Sequence, residues 1–334
     1  MSLPLPDLGT LIALATLLLL LAGALAPFET MGWWAGWFGD ERDEGAGGAR
    51  AGAPTRARGH LVFLSGIHSV SGRTYAANER RFLELLRLRL PDWEIVEVFP
   101  YSVTNRALTG ERVFRRAWRA ALGMKTSRRR IAGIGGMMIN LRNAWQVAVS
   151  ADRRYGPMYD EGSAELIARE LRTIGFGPDR PGPVVLVGYS GGGQIALGAC
   201  EPLARRYRRP AWVVSLGGVM ASPRTLDGIG RVTHLTGRSD GVARIGAVAF
   251  PGRWPFVTWS AWNRARAQGI VRTVDLGPMK HTGAGGYLDA SERHENGRTF
   301  VETTVDAVAA AAEEAAHDLA AHGRSGARLD AQPS

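Results

Sequence analysis

One cysteine in 334 residues, Cys200, leaves no internal disulfide possible; that suits a reducing compartment without requiring one. The lone thiol completes no zinc-ligand set with the seven histidines, so no metal is expected. A dinucleotide loop is missing as well. Gly133-Ile134-Gly135-Gly136 has no strand before it, and Met138 stands where the last glycine belongs. No cofactor is expected. Acidic residues fall short of basic ones, 31 against 41, for a formal charge of +10 carried mainly by arginine. No RNA- or DNA-binding motif accompanies that charge, so it is read as solubility and proximity to anionic lipid, with no nucleic-acid partner.

What the chain has instead is one long apolar run. Leu8 to Ala26 carries no charge. Nineteen helical residues span about 28 Å, close to the hydrocarbon thickness of a bilayer. Trp33, Trp34, Trp37 and Phe38 follow as an interfacial belt. A cleaved signal peptide fits less well, because residues 1–7 lack Lys and Arg and Pro27 follows the candidate cleavage site. Residues 1–38 are therefore expected to be a single-pass anchor. Residues 39–59, rich in Gly, Ala, Arg and Pro, form a flexible linker. Arginines gather on the carboxyl side of the run (Arg42, Arg50, Arg56, Arg58), which favours a cytoplasmic catalytic domain.

From residue 60 to 322 the pattern alternates between short apolar runs and amphipathic stretches. Strands are expected at 61–64, 94–99, 184–187, 211–216, 231–236 and 270–276, with helices at 76–90, 194–207 and 299–322. That order predicts an α/β domain: a mostly parallel sheet of about six strands flanked by helices. Residues 101–157 exceed one crossover. The segment holds the basic cluster Lys125, Arg128, Arg129 and Arg130, then an apolar run over 131–149 interrupted by Asn140, Arg142 and Asn143. It reads as an insertion helix packed on the sheet, or as a lid or membrane-facing element. The polar tail 323–334 is expected to be disordered.

Gly188-Tyr189-Ser190-Gly191-Gly192 follows directly on Val184-Val185-Leu186-Val187 and leads into a helical pattern. A buried strand ending in G-x-S-x-G and turning into a helix has the form of a nucleophile elbow. Downstream, Asp240 lies in the glycine-bounded loop after the strand at 231–236, and His281 lies in the loop after the last strand. With these residues in the order nucleophile, acid, base, residues 60–322 resemble the α/β-hydrolase superfamily, its serine esterases and lipases in particular. The resemblance implies Ser190 as nucleophile, His281 as base and Asp240 as the acid that orients it. It also implies an oxyanion hole from the amide of Gly191 and one from the loop after the first strand, assigned to Ile67. Gly66, His68 and Tyr189 are possible pocket residues. Asp227 and Asp275 are rival acids and His294 a rival base. His234 is expected to pack inside its strand, and His60, His317 and His322 to lie at the surface. Cys200 reads as a buried packing residue.

Phe250, Trp254, Phe256, Trp259 and Trp262 crowd one segment, which is partly structural or walls an apolar acyl pocket. The resulting expectation is a membrane-anchored esterase or lipase acting on a hydrophobic ester through an acyl-enzyme. Two alternatives stay open: the same triad used as a thioesterase or acyltransferase, and a silent hydrolase-fold scaffold at the membrane.

Overall fold

The computed structural model describes residues 57–69, 77–101, 119–122 and 132–329, with isolated helical positions at 9, 13, 17, 21 and 116. The expected anchor, all but the end of the linker, and most of 102–131 lie outside the described residues. Among the described residues no helix is long and apolar enough to cross a membrane.

Six strands form one sheet: β1 (Gly59–Leu64), β2 (Trp93–Val98), β3 (Val184–Tyr189), β4 (Ala211–Leu216), β5 (Ile229–Thr236) and β6 (Val271–Asp275). All pair in parallel in the order β2-β1-β3-β4-β5-β6. The three central strands β1, β3 and β4 are buried along their whole length. Continuous apolar runs such as Leu61-Val62-Phe63-Leu64 are what a sheet covered on both faces requires. Their side chains alternate between two cores. Val62, Leu64 and Leu186 face one, and Leu61, Phe63, Val185 and Val187 the other.

The helices are α1 (Ala77–Arg89), α2 (Ala132–Ala151), α3 (Gly156–Thr173), α4 (Gly192–Tyr207), α5 (Gly241–Ala249), α6 (Ala261–Ala267) and α7 (Phe300–Leu329). Ile139, Val147, Ile167, Leu171, Ile195 and Leu203, on α2, α3 and α4, fill the first core. Phe82, Leu83 and Leu86 of α1 meet Val301, Val305 and Val308 of α7 in the second.

The strands fall within two residues of their expected bounds. Three features differ. The segment after Pro157 continues as α3, with the proline in the first helical turn, where its missing N–H leaves no bond unmade. The last helix runs to Leu329, past the expected end near His322, through a stretch free of proline. His60 is not at the surface. It lies in central strand β1, 5% exposed, with its ring 4.2 Å from that of Phe176.

The chain runs from β1 out to β2 on one side and returns to β3 on the other. The crevice at the carboxyl ends of β1 and β3 is thus the switch point of the sheet, where ligands bind in such folds.

Candidate active site

Ser190 stands at that point. It is one of only two non-glycine residues with positive φ among the described residues, at 54°. Such geometry is costly for a side-chain-bearing residue and persists only where the surroundings enforce it. Here the surroundings do. A Cβ on Gly188 would lie 2.4 Å from the carbonyl oxygen of Gly192, and one on Gly192 would lie 2.5 Å from that of Leu64. The turn is therefore pressed between α4 and the end of β1, with no room for larger residues. The Ser190 amide donates to the Leu216 carbonyl at 2.9 Å, tying the elbow to β4.

Three side chains distant in sequence meet here. His281 Nε2 lies 2.8 Å from Ser190 Oγ, and its Nδ1 lies 2.9 Å from Asp240 Oδ2. All three are buried. The tautomer consistent with both contacts has Nδ1–H donating to the carboxylate and Nε2 accepting from the hydroxyl. Asp240 also caps α5: its Oδ1 accepts from the amides of Val242 and Ala243 at 2.8 and 2.9 Å. Burial pushes the Asp240 carboxyl up, but the bonds from His281, Tyr287 and the Ala243 amide outweigh it. The net effect is to hold the group below the usual carboxylate range.

Around the triad, the loop 65–69 lies against the elbow. A Cβ on Gly66 would be 3.4 Å from Ser190 Cβ, and one on Gly191 would be 2.8 Å from Ile67 Cγ2 and 2.6 Å from Val147 Cγ2. Among the described residues, neither the Gly191 nor the Ile67 amide donates to a protein acceptor. His68 is exposed at the outer side of this loop. Tyr189 is buried beneath the histidine. Its ring stacks on His281 at 5.8 Å and its hydroxyl donates to the His281 carbonyl at 2.8 Å. The rivals stay apart: Asp227 and Asp275 are exposed, and His294 packs on Phe300. His234 is buried in β5, 3.2 Å from Ser215 Oγ. Cys200 is buried, donates to the Ala196 carbonyl, and has its thiol pushed up by burial. Among the described residues no cluster of His, Cys, Asp and Glu has the form of a metal site.

Several residues that hold the site were not anticipated. Tyr287 donates to Asp240 Oδ2 at 2.6 Å while its oxygen accepts from the Gly237 amide at 2.7 Å. Asn143 of α2 donates to the carbonyls of Ile67 and Ser69 at 2.8 and 3.1 Å, and Tyr101 donates to that of Ser65 at 3.1 Å. Arg142, buried beside Asn143, donates to the Tyr101 carbonyl at 2.8 Å. The polar breaks in the apolar run were the available signal. A buried helix carries such residues only where acceptors await them.

No protein-family model and no curated protein matches the sequence. Among solved structures, the chain is similar to a dienelactone hydrolase from Anabaena variabilis, with 16% identity and a TM-score of 0.40 over 78% of this chain and 87% of that one. The six-stranded parallel sheet flanked by helices, with its switch point at β1 and β3 and a strained serine turn carrying β3 into α4, makes this an α/β fold.

Proposed function

We propose that this chain is a membrane-tethered serine hydrolase that cleaves carboxylic esters. One observation carries the reading: the unbroken hydrogen-bond series from Ser190 Oγ through His281 to Asp240, ending on a serine held at φ 54°. A serine hydroxyl is a weak nucleophile at neutral pH, so His281 Nε2 takes its proton as Oγ attacks the ester carbonyl. Asp240 keeps the ring in the required tautomer and stabilises the imidazolium without being protonated. The amides of Gly191 and Ile67 receive the oxyanion, and each such donor is worth about 3 kcal/mol in the transition state. His281 then returns the proton to the leaving alcohol. Water, activated by the same imidazole, releases the acid from the acyl-enzyme. Ile67 and Val147, beside Gly191, give the oxyanion side an apolar wall that suits a hydrophobic ester. In this reading residues 1–38 supply the tether.

A fluorophosphonate probe is expected to label the full chain and to fail on Ser190→Ala. Hydrolysis of short and long esters should fall roughly 10⁴-fold or more in that variant. Labelling that persists in Ser190→Ala refutes the assignment. Extraction of the full chain from membranes by alkaline carbonate counts against the tether alone.

A further inference from the structure

Large apolar side chains left exposed in the folded domain concentrate on two segments. Met137, Leu141 and Trp145 recur every fourth residue on α2, at 61, 46 and 49% exposure. Ile245 and Val248 on α5, with Phe256 and Trp259 in the connection to α6, are 59–71% exposed. Scattered single apolar residues need no explanation, but a concentration of them does. Phe256 and Trp259 thus point outward and wall no interior pocket.

Both segments lie over the elbow. The inner side of α2 brings Val147 and Asn143 to Gly191 and to the loop 65–69. The inner side of α5 brings Gly246 against Val219, whose amide donates to the Ser190 carbonyl at 3.3 Å. Each segment thus reaches the surroundings of Ser190 with one side and leaves its apolar residues exposed on the other.

The charge pattern is as uneven. From Gly241 to Val274 there is no Asp or Glu against five arginines, and from Arg112 to Ala151 none against nine Lys and Arg. Arg244, Arg264 and Arg266 are exposed beside the apolar residues, and among the described residues none of them pairs with a carboxylate. Arg244 and Arg264 are instead tied to the carbonyls of Arg238 and Trp259.

We propose that this face seats the mouth of the site on an anionic lipid bilayer. Aromatic and aliphatic side chains enter the headgroup boundary while the guanidinium groups beside them meet lipid phosphates. A second copy would bring the same unpaired cations together, which opposes association. A nucleic acid would satisfy the arginines but would leave Ile245, Val248 and Phe256 with no apolar counterpart. The residues of this face lie outside the amino-terminal run in the sequence, and its docking does not depend on the serine chemistry.

The test uses the full chain with an environment-sensitive fluorophore on Val248→Cys, and on Leu88→Cys as control. Leu88 is 77% exposed in the last turn of α1, at the sheet edge opposite Ser190. Cys200 is buried and stays unlabelled. In vesicles of phosphatidylcholine with phosphatidylglycerol, the Val248 probe is expected to shift blue and to be quenched by bromolipid, while the Leu88 probe stays in water. A tether alone would leave the two alike. In R244Q/R264Q/R266Q the preference for anionic vesicles should fall about fivefold per arginine removed. The proposal is overturned if the two probes respond alike. It is equally overturned if phosphatidylcholine alone gives the full shift, if the shift appears without vesicles and grows with protein concentration, or if only added RNA produces it.

Discussion

Tyr287 shows how much of this site rests on a single oxygen. Its hydroxyl donates a hydrogen bond to Asp240 Oδ2, the same atom that accepts from His281 Nδ1–H, and accepts one from the Gly237 amide. Tyr287 is fully buried, and burial followed by the bond to Asp240 pushes its phenol far above the ordinary range, so it stays a donor at every working pH. Tyr287→Phe removes one of the bonds that keep Asp240 ionised and leaves the Gly237 amide without a partner. Such an orphan costs roughly 1–3 kcal/mol. In this variant kcat/KM for a soluble ester is expected to fall about tenfold at neutral pH. The acid limb of its pH profile should also move upward. A carboxylate with fewer donors binds its own proton more readily and holds more charge against the imidazolium, and both effects raise the pH at which activity is lost. A lower melting temperature with an unmoved profile would reduce Tyr287 to packing. Ser190, Asp240 and His281 were legible because each sits in a glycine-marked loop at a strand end. Tyr287 was not, because its partner is 47 residues away and only the closed loop brings the two together.

Among the elements, α2 is the helix its apolar run suggested, and what the sequence left open is where its polar residues reach. Asn140, Arg142 and Asn143 told against a second membrane span, but spacing alone does not say which acceptors such groups reach. The strands were plain because a doubly covered sheet writes itself as continuous Val, Leu and Phe. Helix α3 was missed because Gly156 and Pro157 look like punctuation, and α5 because its apolar side faces out and its inner side is only Ala243 and Gly246. What α2 does locally is hold the loop 65–69 in place through the Asn143 side chain. Asn143→Ala breaks both bonds and frees the Ile67 carbonyl, and with it the peptide that carries the proposed oxyanion donor. The expected outcome is about a tenfold loss in kcat, with KM for a short ester nearly unchanged, since the donor acts chiefly in the transition state. The melting temperature should drop by a few degrees. A rise in KM at constant kcat would place Asn143 in substrate binding instead.

At the scale of the molecule, stability against pH is set by groups buried in opposite senses. His60 is pushed down to about 4, by burial first and then by Arg180 and Arg209, and His234 to about 3, by burial and then Arg253. The unfolded chain binds protons at both positions below about 6.5 and the folded chain does not, so each costs stability as pH falls from there toward its folded value. Asp160 acts the other way. It is buried between α3 and α4, 2.7 Å from Ser150 Oγ and 2.9 Å from Arg224, and burial raises it to about 6 against those bonds. Its folded form keeps a proton that the unfolded chain sheds above about 4, so it costs stability as pH rises from 4 to 6. Each displaced unit corresponds to about 1.4 kcal/mol, and the two histidines together are displaced further than the single carboxyl. The lowered carboxyl of Asp240 adds to the histidines' side, since its contribution is lost as pH falls below about 4. The net expectation is a fold that weakens steadily below pH 6.5. His60→Leu, which keeps an apolar side chain against Phe176 and removes the titration, is expected to flatten that decline between pH 6.5 and 4 in urea midpoints. Asp160→Asn should steepen it over 4 to 6, because it removes the opposing group. If His60→Leu leaves the slope unchanged, the imidazole in β1 takes up its proton in the folded state as readily as in water, and the acid sensitivity of the fold lies elsewhere.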